Sequence, residues 1–205
     1  MSGPLAPPPG FDETIDREWA HLASAGTWWA GEERVAIARE ARRAIAGEPP
    51  GAELGPVAVD AARTVAADAS EITGERVSGW FDRGLDPYAY VEMIGIVARL
   101  AAVDTAHHGL GHPTRSLPDP RPGDPSRTVP RGAEVQGGWV PTVGPAGAPN
   151  ALSAVPAEAG AVMDLHGVLY LSLAEMGDLT ITKKLQRHQM ELIAARTSRL
   201  NDCFY

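Results

Sequence analysis

The stretch from His112 to Pro149 holds nine of the chain's 18 prolines together with six glycines, and it decides how the rest can fold. Proline removes an amide donor and fixes φ, and glycine costs extra entropy in any regular element, so no packed helix is expected there. Such a long segment reads as a loop wrapped across the surface, pinned by Trp139-Val140-Pro141 and joining two helical halves. The expected organisation is a helical half over 1–112, a Pro/Gly-rich linker over 113–150 and a second helical half over 151–205.

Within the first half the apolar residues recur at helical spacing. Ile15, Trp19 and Leu22 define one helix, and Val35, Ile37, Ala38, Ala41 and Ile45 define a second after a break at Gly31. Trp28 and Trp29 lie between them; as neighbours they point in different directions, one toward the core and one onto an adjoining element. The alanine-rich run from Val57 to Ile72 predicts a third helix, closed by Gly74 and Gly79. Asp86-Pro87 supplies an N-cap followed by proline at the first helical position, which starts a long helix from Pro87 to about His107. Its apolar residues nearly encircle it, so it belongs at the centre.

In the second half, Ala159 to Met176 predicts a buried helix ending at Gly177. A last helix, capped by Thr180 or Thr182, runs to about Leu200 on a stripe of Leu185, Gln189, Leu192, Ile193, Arg196 and Leu200. The fold class is therefore all-α. No run of roughly 18 uncharged apolar residues offers a membrane span. Residues 1–10 lack the basic start and apolar core of a secretory signal and read as a loose arm.

Charge and cysteine content exclude several functions. A net charge of -8 repels phosphate backbones and anionic lipid, so neither nucleic acid nor a membrane is an expected partner. The one cysteine, Cys203, allows no internal disulfide and no Cys-rich zinc site, and points to a reducing, cytoplasmic setting. Asp104, His107 and His108 share a helix face at metal-like spacing, but a third strong ligand is not evident, and histidines beside Gly109 and Gly111 suit a helix C-terminus.

The segment with chemical content is the last one, from Gln189 through Glu191 and Ser198 to Asn201, Cys203 and Tyr205. It resembles the active-site stretch of the alkylhydroperoxidase D-like family within the carboxymuconolactone decarboxylase superfamily. There a helix carries a glutamate, ends in a Ser-x-x-Asn-x-Cys turn and continues as Cys-x-x-Cys, with a histidine a turn later. Ser198, Asn201 and Cys203 match the turn, and Glu191 precedes the cysteine by the family's twelve residues. The resemblance implies an alkylhydroperoxidase D-like helical fold, a hydroperoxide substrate, a separate thiol electron donor, no bound cofactor and homo-oligomeric assembly. Thiol chemistry gives these residue types a reason to occur together. A thiolate attacks peroxide, a cysteine opening a helix gains thiolate character, and a nearby carboxylate can take the proton.

The chain departs from the family where its second cysteine would follow Tyr205. By the resemblance Cys203 is the resolving cysteine, Glu191 the surviving member of the proton relay and Tyr205 the neighbour of the attacking position; these three are the candidate catalytic residues. Peroxidase turnover of the 205-residue form is expected to be impaired. One expectation is a UGA codon after Tyr205 read as selenocysteine; a frameshift or truncated contig is the alternative. The bland readings are an inert terminal thiol for Cys203 and, for Glu191, a solvated carboxylate or an ion pair with Arg187.

The first half echoes this unit. Glu92-Met93-Ile94 stands twelve residues before Asp104, as Glu191-Leu192-Ile193 stands before Cys203, so two degenerate helical halves are a further expectation. Two other functions stay open, a lactone decarboxylase of the same superfamily and a non-catalytic helical scaffold or binding protein.

Overall fold

A computed structural model describes residues 3–200. The described chain is mostly helical, with two two-stranded ribbons as its sheet structure. Helices α1 (Phe11–Ala23), α2 (Gly31–Ile45), α3 (Pro56–Ala67), α4 (Gly74–Asp82) and α5 (Pro87–Leu110) form the body. The ribbon β1 (Ala133–Val135) and β2 (Pro141–Val143) follows, then α6 (Pro156–Leu169) and the single turn α7 (Leu173–Met176). A minimal ribbon, β3 (Thr182–Lys183) and β4 (Leu185–Gln186), leads into α8 (Arg187–Leu200).

The body assembles around α5. The Asp86 carboxylate accepts from the amides of Tyr88 and Ala89, satisfying donors that a helix start leaves open, and Gly111 in the left-handed region ends the helix. Tyr90, Val91, Met93, Ile96, Val97, Leu100 and Val103 are all buried, on nearly every side of the helix. Helix α1 brings Phe11, Ile15, Trp19 and Leu22 to this core, and α2 and α3 meet along Ala38, Ala41, Ala58, Ala61 and Ala62. Alanine faces let two helix backbones approach closely at little cost in side-chain entropy. The paired tryptophans divide as the sequence predicts. Trp29 packs on the main core and donates to the Ala89 carbonyl (2.8 Å), whereas Trp28 stacks on Tyr88 beside a second small cluster with Val91, Ala154 and Val155.

Several local readings are corrected. The third helix stops at Ala67, and Gly74 opens α4 rather than closing α3, because the Thr73 hydroxyl caps it by accepting from the Arg76 amide. The Pro/Gly segment contains β1 and β2, paired antiparallel with Glu134 opposite Thr142. Of Trp139-Val140-Pro141, Val140 packs on both apolar clusters and Pro141 is buried, so these two pin the segment, while Trp139, 54% exposed, lies against Gly74. Hydrogen bonds fasten it too: Arg121 N to Ala23 O (2.7 Å) and Arg127 N to Thr27 O (2.8 Å) between backbones, and the Trp19 indole to Ser116 O (2.6 Å).

The helix expected from Ala159 to Met176 breaks at Tyr170. A capping box there, in which Ser172 and Glu175 satisfy each other's amides, starts α7 afresh and leaves Leu173 exposed. Thr182 lies in β3 rather than capping α8, Thr180 bonds to Asp178, and the stripe Leu192, Ile193 and Leu200 faces outward; Met190 is the buried side chain of α8. The arm is docked by Leu5, whose amide donates to Leu110 O (2.8 Å). Among the described residues no helix is long and apolar enough to cross a membrane.

Candidate functional site

Helix α8 carries Glu191 on a face turned partly to α6 and α7. Arg187, one turn earlier, donates from Nε to Glu191 Oε1 (2.6 Å), and the Tyr170 hydroxyl donates to the same oxygen (2.8 Å). Arg187 also reaches the carbonyls of Glu175 and Met176, tying α8 to the end of α7. The Glu191 side chain is 48% exposed. The Tyr170 bond, then Arg187, holds its carboxyl below the ordinary glutamate range, so at neutral pH it is an ionised acceptor. Burial, and then the Glu191 charge, push the Tyr170 phenol up.

Tyr170 stands between two apolar recesses. One, about 370 Å³, is lined by Val168, Leu169, Leu185, Met190 and Ile193; the other, about 230 Å³, lies between α5 and α6 against Ala98, Ala102, Val162 and Leu165. The tyrosine exists at this place because α6 ends there, and its ring meets His166 edge-on. The structure thus joins Glu191 to Arg187 and Tyr170, realising the ion pair that the spacing offered. Asn201, Cys203 and Tyr205 lie outside the described residues. Tyr170 was not legible as a partner, since nothing in the sequence forecasts the break after α6.

The first-half residues at the echoing spacing are placed differently. Asp104 is gripped by Arg42 through two bonds, Nε to Oδ2 (2.8 Å) and Nη2 to Oδ1 (2.7 Å). His107 bonds to the Val103 carbonyl and packs on Phe11. Among the described residues no cluster of His, Cys, Asp and Glu has metal-site character. Glu92 is wholly buried, and it belongs to an ionic cluster that sequence reasoning missed.

That cluster joins four elements and a loop. Arg34 of α2 places Nη1 between the Glu92 and Glu158 carboxylates, the latter at 2.9 Å. Arg99 of α5 bonds to Glu18 of α1 and to Glu158 of α6, and its Nε donates to Gly95 O. His21 of α1 meets Glu158 Oε1 at 2.8 Å, and the Trp28 amide donates to Glu92 Oε2 at 2.6 Å. Glu18, Arg34, Glu92, Arg99 and Glu158 are buried, and Nε and Nη2 of Arg34 have no protein partner.

Two glycines make the space. A Cβ at Gly26 would overlap Glu92 Oε1 and Arg34 Nη1, and one at Gly95 would lie 2.8 Å from Glu158 Oε2. The missed signal was available: Glu18, Arg34, Glu92 and Arg99 each occupy a buried position of an otherwise apolar helical pattern, where an unpaired charge is not tolerated. Comparison of the chain with protein-family models, curated proteins and solved structures found no match.

Proposed function

We propose that the protein is a thiol-dependent peroxidase or disulfide oxidoreductase of the alkylhydroperoxidase D-like type, built on that family's helical fold. The observation that carries the reading is the state of Glu191. Its carboxylate is ionised and fixed by Tyr170 and Arg187, on a helix described as far as Leu200 and twelve residues before Cys203 in the sequence. A carboxylate held in that way can accept the proton of Cys203, whose thiolate attacks the hydroperoxide, breaking its O–O bond to give a sulfenic acid and the alcohol. Two donor thiols then return Cys203 to the thiol, releasing water and the donor disulfide. The substrate is a hydroperoxide, and a separate thiol donor returns the electrons. The exposed row of Leu192, Ile193 and Leu200 supports assembly of several copies around α8.

Hydroperoxide consumption with dithiothreitol as donor tests this. Wild type is expected to turn over slowly but measurably, and Cys203→Ser and Glu191→Gln to lose that activity. Unchanged consumption in both variants sinks the thiol mechanism. A second reading, a non-catalytic helical scaffold, is favoured by one observation: Glu92, at the echoing position in the first half, is wholly buried and bonded to Arg34 and the Trp28 amide, a role in the interior. Free-thiol reactivity at Cys203 equal to that of the unfolded chain would support it.

A further inference from the structure

Helices α5 and α6 meet closely at Gly95 and Glu158, and further along the pair a recess of about 230 Å³ opens between them. Ala98 and Ala102, one turn apart on α5, line one side of it, and Val162, Leu165 and Leu169 of α6 the other. Ala98 is exposed between buried Val97 and Arg99, so the recess is open to solvent. An apolar cavity of about 150 Å³ accommodates benzene, which leaves room here for a body of about two fused rings.

The polar groups around the recess are spent, with one exception. Arg99 bonds through Nε to Gly95 O and through its two terminal nitrogens to Glu18 and Glu158. The Tyr170 hydroxyl gives its proton to Glu191. His166, half-buried at the same end, directs Nδ1 to the Leu171 carbonyl at 2.5 Å, with its ring edge-on to Tyr170. A carbonyl only accepts, so Nδ1 carries the proton, and the neutral imidazole leaves Nε2 as a bare acceptor. Among the described residues no donor is bonded to Nε2. We propose that the recess binds a neutral organic alcohol or phenol, its apolar body between α5 and α6 and its hydroxyl donated to Nε2 of His166.

Charge complementarity selects this chemistry. No carboxylate lines the recess, and its one cation, Arg99, is already neutralised by Glu18 and Glu158, so a charged ligand would be desolvated without a counter-charge. Apolar walls with a single unspent acceptor call for an apolar body with a single donor, the usual division of labour in small-molecule pockets. Glu191 is not among the lining residues, and this inference stands apart from the redox reading.

The test titrates β-naphthol, which carries the hydroxyl, and its methyl ether, which lacks the donor, into the full chain at pH about 7.5, where a free imidazole is mostly neutral. Each probe is followed by its own fluorescence. β-Naphthol is expected to bind a single site per chain, several-fold tighter than the ether. His166→Asn keeps a donor for the Leu171 carbonyl through its amide and removes the acceptor. It should weaken β-naphthol about threefold to tenfold, the range of one neutral hydrogen bond, and leave the ether unchanged. Ala98→Leu fills the recess from an exposed position that tolerates a larger side chain, and Ala102→Leu fills it from the next turn; each should weaken both probes by about tenfold or more. An absence of saturable β-naphthol binding, equal affinity for the two probes, a His166→Asn loss shared by both, or binding that survives Ala98→Leu overturns the site. Sedimentation in which Ala98→Leu splits an oligomer also overturns it, because a second copy of the chain would then be the occupant.

Discussion

Replacing Gly95 by alanine sets two effects of known sign against each other. Gly95 lies inside α5, where alanine should gain about 1 kcal/mol in helix propensity. Its new Cβ, however, would lie 2.8 Å from Glu158 Oε2, 2.9 Å from Glu158 Cβ and 3.1 Å from Cγ. The carboxylate cannot rotate away without breaking its bonds to Arg34, Arg99 and His21, and the Cβ moves only if α6 moves. Overpacking of this kind costs about 1–3 kcal/mol, and a weakened buried ion pair adds to it. The expected net is a loss of about 1–2 kcal/mol, which at a urea dependence of about 2 kcal/mol per molar lowers the midpoint by about 0.5–1 M. Gly79→Ala in α4 is the control, because nothing lies within 4 Å of its Cβ, and it should raise the midpoint. A Gly95→Ala midpoint at or above wild type would refute the claim that Glu158 is fixed in place.

Trp80→Phe should cost about 2–3 kcal/mol by urea denaturation, since the indole is fully buried and donates to Asp60 Oδ2 (2.7 Å), a bond to a charged group. Acid should unfold the chain partly through Glu158, whose stabilising contribution is present above the ordinary glutamate value and is lost as pH falls toward 2. Circular dichroism of Glu158→Gln should show a shallower acid transition than wild type. Glu191→Gln should leave the urea midpoint almost unchanged while lowering the pH at which Tyr170 ionises, followed by tyrosinate absorbance; an unmoved phenol titration contradicts the hydrogen bond between them.

The body of the fold was legible because its signals are local. Asp86-Pro87 marks the start of α5, and the spacing of Ile15, Trp19 and Leu22 marks α1. The misread elements are those where a short-range contact overrides composition. Gly74 looks like a terminator, yet the Thr73 cap makes it a beginning. The apolar run through Leu173 looks like one helix, yet Ser172 and Glu175 restart it. Periodicity tells that α8 has an apolar face and not what covers it, and Leu192, Ile193 and Leu200 are exposed. At the site, the pairing of Glu191 with Arg187 was readable as a one-turn spacing, whereas Tyr170 arrives through tertiary structure. The ionic cluster spans partners as far apart as Arg34 and Glu158, a distance no local pattern encodes.

The most direct test of the functional account is the rate at which iodoacetamide alkylates Cys203 across neutral pH, in wild type and in Glu191→Gln. The account predicts that native Cys203 reacts faster than the same thiol in the urea-unfolded chain and that Glu191→Gln slows it toward the unfolded rate. Equal rates in the native and unfolded chains, indifferent to the loss of the carboxylate, would contradict it.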